Sequence, residues 1–369
     1  MIKILYVVST LKRCGPTNQL SYIIKYLDKA KFKPVVLTLS PEPTTSSMKS
    51  YFETALNVEV HTLGLSRIKG LFFAKSSLQK FIKANSIDLI HSQGIRADGL
   101  ASKIKIKKVA TLRNYPYYDY PMTYGRLRGW LMAKAHLNYL KSINSPVVVS
   151  KSVSDMLLNM KSYKIDFVQN GVDLERFPNS NKADLRGNLN IPSDTIVFIS
   201  VGHLSSRKDP LTIIKAFQFA NIKNSALFFL GDGGLVDECN SLIINDPRIT
   251  LVGKVSNVAD YLMASDYFVS SSLAEGLPNT VLEAMAAKLP CVLSDIPPHI
   301  EIAELGRIPP LIFKAQDIDD LKEKMLTIVE TNYEAMSISS RRIIEEHLNA
   351  KSMSERYQEK YLALVKNTK

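Results

Sequence analysis

Two doubly wound parallel-sheet α/β domains are the fold class predicted by this sequence of 369 residues. Short apolar runs alternate with helix-length segments from end to end, the pattern of parallel strands covered by helices. The alternation occurs twice, with five strand-like runs in each set. The length also exceeds what one hydrophobic core usually serves, so two cores are expected.

The first set reads IKILYVVS, KPVVLTLS, DLIHS, KKVATL and PVVVS, and the second TIVFISVG, ALFFLG, ITLVG, YFVSS and PCVLS. Such runs suit strands buried on both faces. Between the sets, Asn170-Gly171 is a turn dipeptide, and Pro178, Asn179, Ser180 and Asn181 read as an irregular linker. The expected division is therefore residues 1–168 and residues 169–349. From about Ser337 to Val365 the chain reads as helical, with Ile343, Ile344, Leu348, Met353, Tyr357, Tyr361 and Leu364 at mostly three- and four-residue steps.

The net charge of +12 is unevenly spread. Residues 1–170 hold 26 basic and 9 acidic side chains, a balance of +17, whereas residues 171–369 hold 21 and 26, a balance of −5. A basic half attracts nucleic acid, anionic lipid headgroups or diphosphate-bearing substrates. Lys103, Lys105, Lys107 and Lys108 cluster in KIKIKK. Over Arg126–Lys141, Leu127, Trp130, Leu131 and Leu140 are read as one stripe among Arg126, Arg128, Lys134 and Lys141. That helix either lies on a membrane surface or packs on the core with a wet back. No apolar run of eighteen residues occurs and IKILYVVS is no signal-peptide core, so the expectation is a cytoplasmic chain, peripheral at most to the inner face of the cell membrane. Cys14, Cys239 and Cys291 match no metal or redox spacing and are expected to be reduced.

The most informative segment is EGLPNTVLE, from Glu275 to Glu283. It follows the strand-like YFVSSSLA and reads as the start of a helix at a strand's carboxyl end, the edge where open α/β sheets bind ligands. Backbone N–H groups from Gly276 through Leu277, Pro278 and Asn279 to Thr280 (Pro278 itself has none) suit a phosphate at a helix N-terminus, and Glu283 suits a diol. Together they point to a sugar nucleotide. In HLSSRKDP, Arg207 and Lys208 stand just before a helix start, placed to neutralise a diphosphate once folding joins the two loops. Gly231-Asp232-Gly233-Gly234 permits close approach of another chain or a ligand. LVGKVSN, with Val255, offers strand-end backbone to a planar base. The first strand is followed by STLKRCGPTN with one glycine, so the dinucleotide fingerprint is absent and a dehydrogenase is disfavoured.

Taken in order, NGVDLERF (170–177), VGHLSSRKDP (201–210), FLGDGG (229–234), LVGKVSN (251–257) and EGLPNTVLEAMA (275–286) resemble the retaining glycosyltransferases of family four, which have the GT-B fold. The motifs span about 120 residues of the second half. The resemblance implies two Rossmann-like domains facing across a cleft, with the final helix, about 350–369, crossing back to the first. It implies that Glu275 faces the donor sugar, Glu283 the ribose, the amides of Gly276 to Thr280 the distal phosphate, and Lys208 the diphosphate. It further implies a UDP-linked donor, retention of configuration, and neither cofactor nor obligatory metal. The chain departs from the family at two places: His203 stands where Arg is usual, leaving Arg207 or His203 as second phosphate partner, and Arg113-Asn114 stands where His is usual. Arg113 then acts by charge in catalysis, or Asn114 by hydrogen bonding.

Catalysis would be mainly electrostatic stabilisation of the leaving diphosphate. On the first-domain side, Gly15, Pro16, Thr17, His91, Asn114 and Tyr115 are the expected acceptor-side residues, with the tyrosines of Tyr115–Tyr120 available to stack on sugar rings. The acceptor expected beside a basic surface is a lipid-linked saccharide. Alternatives are a nucleotide-sugar epimerase of the same architecture and a basic nucleic-acid- or membrane-binding protein. Nucleic acid is not expected as a partner, because no recognised module is visible.

Overall fold

The structure, a computed structural model, describes residues 1–65 and 67–366. The chain forms two compact units: Met1–Gly171 together with the segment from Ala350 onward, and Val172–Asn349.

Unit 1 holds β1 (Ile2–Val8), β2 (Phe32–Thr38), β3 (Glu59–Thr62), β4 (Leu89–Gln93), β5 (Lys107–Leu112), β6 (Ser145–Val148) and β7 (Asp166–Phe167). They form one parallel sheet in the order 3-2-1-4-5-6-7. Unit 2 holds β8 (Ile196–Val201), β9 (Ser225–Leu230), β10 (Ile249–Gly253), β11 (Tyr267–Ser270), β12 (Cys291–Ser294) and β13 (Leu311–Phe313), parallel in the order 10-9-8-11-12-13. Strand order reverses between β1 and β4 and again between β8 and β11. Each reversal opens a crevice at the carboxyl edge of its sheet. All ten expected runs are strands. Three short ones, β3, β7 and β13, are additional, and β3 and β7 are too polar and exposed to show as apolar runs.

The C-terminal helix Ala350–Lys366 belongs to unit 1, as expected of a helix that crosses back. Met353, Tyr357 and Tyr361 are buried against Tyr6, Phe32, Leu89 and Val109. Burial strands the two tyrosine hydroxyls away from water, so they must pair. Tyr361 Oη lies 2.7 Å from His91 Nδ1, and His91 Nε2 2.8 Å from Thr111 Oγ1, which in turn lies 2.9 Å from Tyr357 Oη. The stretch expected as one helix from Ser337 is two, Tyr333–Glu346 in unit 2 and Ala350–Lys366, separated at His347–Asn349.

Helix Arg126–Leu140 corrects one sequence reading. Gly129, Ala133, His136, Leu137 and Leu140 face the core, while Leu127, Trp130 and Leu131 are 74%, 45% and 54% exposed. Leu140 therefore does not share their stripe. Gly129 is required there, because a Cβ would come within 2.3 Å of Pro121 N. Among the described residues, no helix is long and apolar enough to cross a membrane.

Candidate functional site

The loops following β8 and β11, adjacent strands at the unit 2 reversal, are knitted together as the sequence requires for a shared site. Leu273 N donates to Arg207 O (2.8 Å), Arg207 Nη1 to Ala274 O (2.7 Å), and Ser271 Oγ to the carbonyls of Lys208 (2.9 Å) and Asp209 (2.7 Å). Asp209 adopts φ +47 and accepts from Thr212 Oγ1 at 2.7 Å, setting the first turn of helix Pro210–Ala220. The backbone thereby holds Arg207 and Lys208 beside the Glu275 loop.

Glu275 Oε1 lies 2.7 Å from Lys208 Nζ and 3.1 Å from Arg207 Nη1. Both contacts are ion pairs. Burial pushes the Glu275 carboxyl up, but Lys208 and Arg207 together outweigh it and hold the group at about 2. Glu275 is thus an ionised acceptor rather than an acid. Two cations against one carboxylate leave the cluster one positive charge in excess, beside the turn Gly276–Thr280 that leads into helix Asn279–Ala286. The positive end of a helix dipole adds to that excess.

Glu283, one turn into this helix and buried, accepts from Arg176 Nη1 at 2.7 Å. Arg176 lies 107 positions away, in the NGVDLERF segment, and no local periodicity announces the pair. His203, exposed on the loop after β8, lines a cavity of about 240 Å³ with Val201, Gly202, Gly231, Lys254 and Val255. The cavity's lining is mostly apolar. Asp232, at its edge, is paired with Lys254 at 2.9 Å. Gly231 (φ +139) and Gly233 are glycines because a Cβ would meet Gly202 O at 1.8 Å and Leu204 O at 2.1 Å. Their role is to let the β9 loop lie against the β8 loop.

His299 was not anticipated. It is fully buried in helix Pro297–Ala303, its Nδ1 lies 2.9 Å from Ser294 O, and its Nε2 has no partner. Burial lowers its pKa to about 4, opposed by the charge of nearby Glu275. The sequence signal was SDIPPH, a strand end followed by a Pro-opened helix.

In unit 1 the expected acceptor-side residues divide. Gly15 and the exposed Pro16 open helix Gly15–Lys25 after β1, and Thr17 faces inward, its Oγ1 donating to Lys12 O at 2.7 Å. Arg113, after β5, donates from Nη2 to Gln93 Oε1 (2.6 Å) and from Nη1 to Asn170 Oδ1 (3.1 Å). Asn114 Oδ1 accepts from Tyr115 N at 2.9 Å. Two residues are corrected by their burial. His91 is fully buried with both ring nitrogens engaged, and burial, aided by Arg113, pulls its pKa to about 3, so it is a neutral strut. Tyr115 is 2% exposed and packs in the core against Tyr118, with no ring face left for a sugar. Among the described residues, no group of three or more His, Cys, Asp or Glu is arranged to hold a metal ion.

Comparison with known proteins adds to this geometry. Residues 181–347 match the family described as "Glycosyl transferases group 1", and residues 15–176 match "Glycosyltransferase Family 4". Over 374 residues and 98% of each chain, the sequence is 25% identical to the O-antigen biosynthesis glycosyltransferase WclY of Escherichia coli. It is 30% identical, over 215 residues and 55% of each chain, to the UDP-Gal:alpha-D-GlcNAc-diphosphoundecaprenol alpha-1,3-galactosyltransferase of Escherichia coli. The fold is that of Anabaena HepE, solved in complex with UDP and glucose: TM-score 0.82, 17% identity, covering 98% of this chain and all of that one.

Proposed function

The chain belongs to the glycosyl transferases group 1 family and is a glycosyltransferase of GT-B fold; from that premise we propose that it moves a hexose or N-acetylhexosamine from a UDP-linked donor to a lipid-linked saccharide, with retention, in cell-surface polysaccharide assembly. The observation that carries the donor side is the Glu275–Lys208–Arg207 cluster at the start of helix Asn279–Ala286. As the glycosidic bond breaks, negative charge grows on the diphosphate, and preorganised cations and a helix end stabilise it without reorganising. Ionised Glu275 accepts from donor sugar hydroxyls while keeping the Lys208 ammonium in position. The mostly apolar cavity at His203 and Val255 takes the base, and Glu283, steadied by Arg176, the ribose diol. No step needs a metal.

Thermal-shift measurements with a panel of nucleoside diphosphates and their sugars test the donor side, because a ligand of the folded state raises the melting point. The expected result is a rise with UDP and one UDP-sugar that Lys208→Ala and Glu283→Ala abolish. No rise with any nucleotide sinks the reading. Formation of product only with an acceptor present separates transfer from epimerisation.

The lipid-linked acceptor is supported by the exposed Leu127, Trp130 and Leu131 on a helix that also exposes Arg126, Arg128 and Lys134. Apolar side chains enter the interface while the cations meet anionic headgroups. The acceptor named for the 30%-identical relative carries undecaprenol through a diphosphate. Sedimentation with anionic vesicles at low salt is the expected behaviour, and its absence removes the membrane part of the proposal.

A further inference from the structure

Arg113 is a cation without a counter-charge. Its guanidinium stands at the carboxyl edge of β5, beside Gln93 at the end of β4, next to the strand reversal of unit 1. Its partners, Gln93 Oε1 and Asn170 Oδ1, are neutral amide oxygens. Among the described residues, no carboxylate lies within ion-pair distance of it. Asp98 acts on it only through space, with its own oxygens taken by Ser92 Oγ (2.6 Å) and His136 Nε2 (2.8 Å).

Two donors here are also left over. Arg113 Nε and Gln93 Nε2 are buried without an acceptor, and Gln93 as a whole is 7% exposed. The Gln93 amide is not free to turn over, since its oxygen already accepts from Arg113. Leaving buried donors unmade is costly, and a guanidinium stays charged despite the burial that lowers its pKa.

We propose that Arg113 and Gln93 form an oxyanion seat in unit 1, separate from the unit 2 cluster, which takes a phosphate or carboxylate group of the acceptor. Only the word acceptor rests on the transferase reading. Planar, bidentate recognition of an oxyanion is what a guanidinium does better than an imidazole or ammonium.

The test uses the full chain with Arg207→Gln, Lys208→Gln and Glu275→Gln together, which removes the two cations of the Glu275 cluster without leaving its buried carboxylate unpaired. Melting points are read with inorganic pyrophosphate, farnesyl diphosphate and glucuronate. The expected result is a rise of a few degrees with at least one of them, abolished by adding Arg113→Met and weakened several-fold by Gln93→Leu. A rise with glucuronate alone assigns the group as a carboxylate, one with pyrophosphate assigns it as phosphate, and a larger rise with farnesyl diphosphate assigns its source as a prenyl-linked acceptor. No rise with any probe, or one indifferent to Arg113, overturns the proposal. Should Arg113→Met fail to fold, Arg113→Lys keeps the charge and loses Nε, and an undiminished rise with it overturns the bidentate seat. Failure of the donor reading shows separately, as no UDP shift in the unaltered chain.

Discussion

Lys208 in unit 2 and Arg113 in unit 1 are both cations set back from water at a strand's carboxyl edge, and the fold treats them differently. Lys208 is matched by Glu275 at 2.7 Å, whereas Arg113 meets only amide oxygens. A matched cation keeps its position whether or not ligand is present. An unmatched one gains most when a ligand supplies the missing charge. The comparison teaches that the unit 2 cluster is held in place by its own carboxylate, while the unit 1 guanidinium is left with charge to spare; on the proposed reading the first suits a leaving group and the second a bound oxyanion.

Replacing Lys208 by Ala should break the comparison most sharply. Turnover is expected to fall by a hundredfold or more, about 3 kcal/mol of leaving-group stabilisation. Arg113→Gln should act mainly on the acceptor KM. Steady-state kinetics with both substrates varied checks this, and equal kcat losses would erase the distinction. Gly231→Ala should destabilise unit 2 by about 1–3 kcal/mol, since the added Cβ meets Gly202 O at 1.8 Å and a loop must shift; urea unfolding followed by Trp130 fluorescence would miss it, so a unit 2 backbone probe such as hydrogen exchange is needed. Glu283→Gln should weaken donor binding by about tenfold, the order expected when a hydrogen bond to a charged group is lost, and calorimetry with UDP reads it directly.

Acid should sharpen the contrast further. Glu275, held at about 2 against an ordinary 4.5, contributes stability above pH 4.5 that disappears as the pH falls through 2. His299 and His91 work over a higher window, because each is buried neutral while the unfolded chain takes up a proton below 6.5. Their cost to stability grows from pH 6.5 down to about 4 for His299 and about 3 for His91. His299→Gln should therefore flatten the loss of unit 2 protection between pH 6.5 and 4, read by exchange at a series of pH values, and leave unit 1 unchanged. The smallest effect in solution should come from Leu127→Ser with Leu131→Ser, which alter exposed positions; vesicle binding should drop while donor binding stays the same.

Much of the fold was legible because its strands are buried on both faces and so read as continuous apolar runs. The joining of the Arg207–Lys208 loop to the Glu275 loop was legible too, since both motifs stand at strand ends and adjacent strands bring such ends together. What escaped was set at long range or by orientation. Arg176 and Glu283 meet only through the tertiary fold. Helix Arg126–Leu140 carries apolar residues on both sides, so spacing alone could not tell that Leu127, Trp130 and Leu131 face outward while Leu137 and Leu140 face in. Tyr115 reads like its neighbours in a tyrosine-rich run, and only packing separates it from the exposed Tyr118.

The placement of helix Ala350–Lys366 sets an order of events during synthesis. Unit 2 is contiguous in the chain, and all of it leaves the ribosome before Met353, Tyr357 and Tyr361 do. Until those side chains arrive, Tyr6, Phe32 and Leu89 lack the covering they have in the finished core, and His91 lacks Tyr361 as a partner. Unit 1, begun first, is thus completed last. A nascent chain stalled after the strands of unit 1 have emerged but before residue 350 leaves that part of the core uncovered, which makes that stretch of translation the interval in which a chaperone has most to hold.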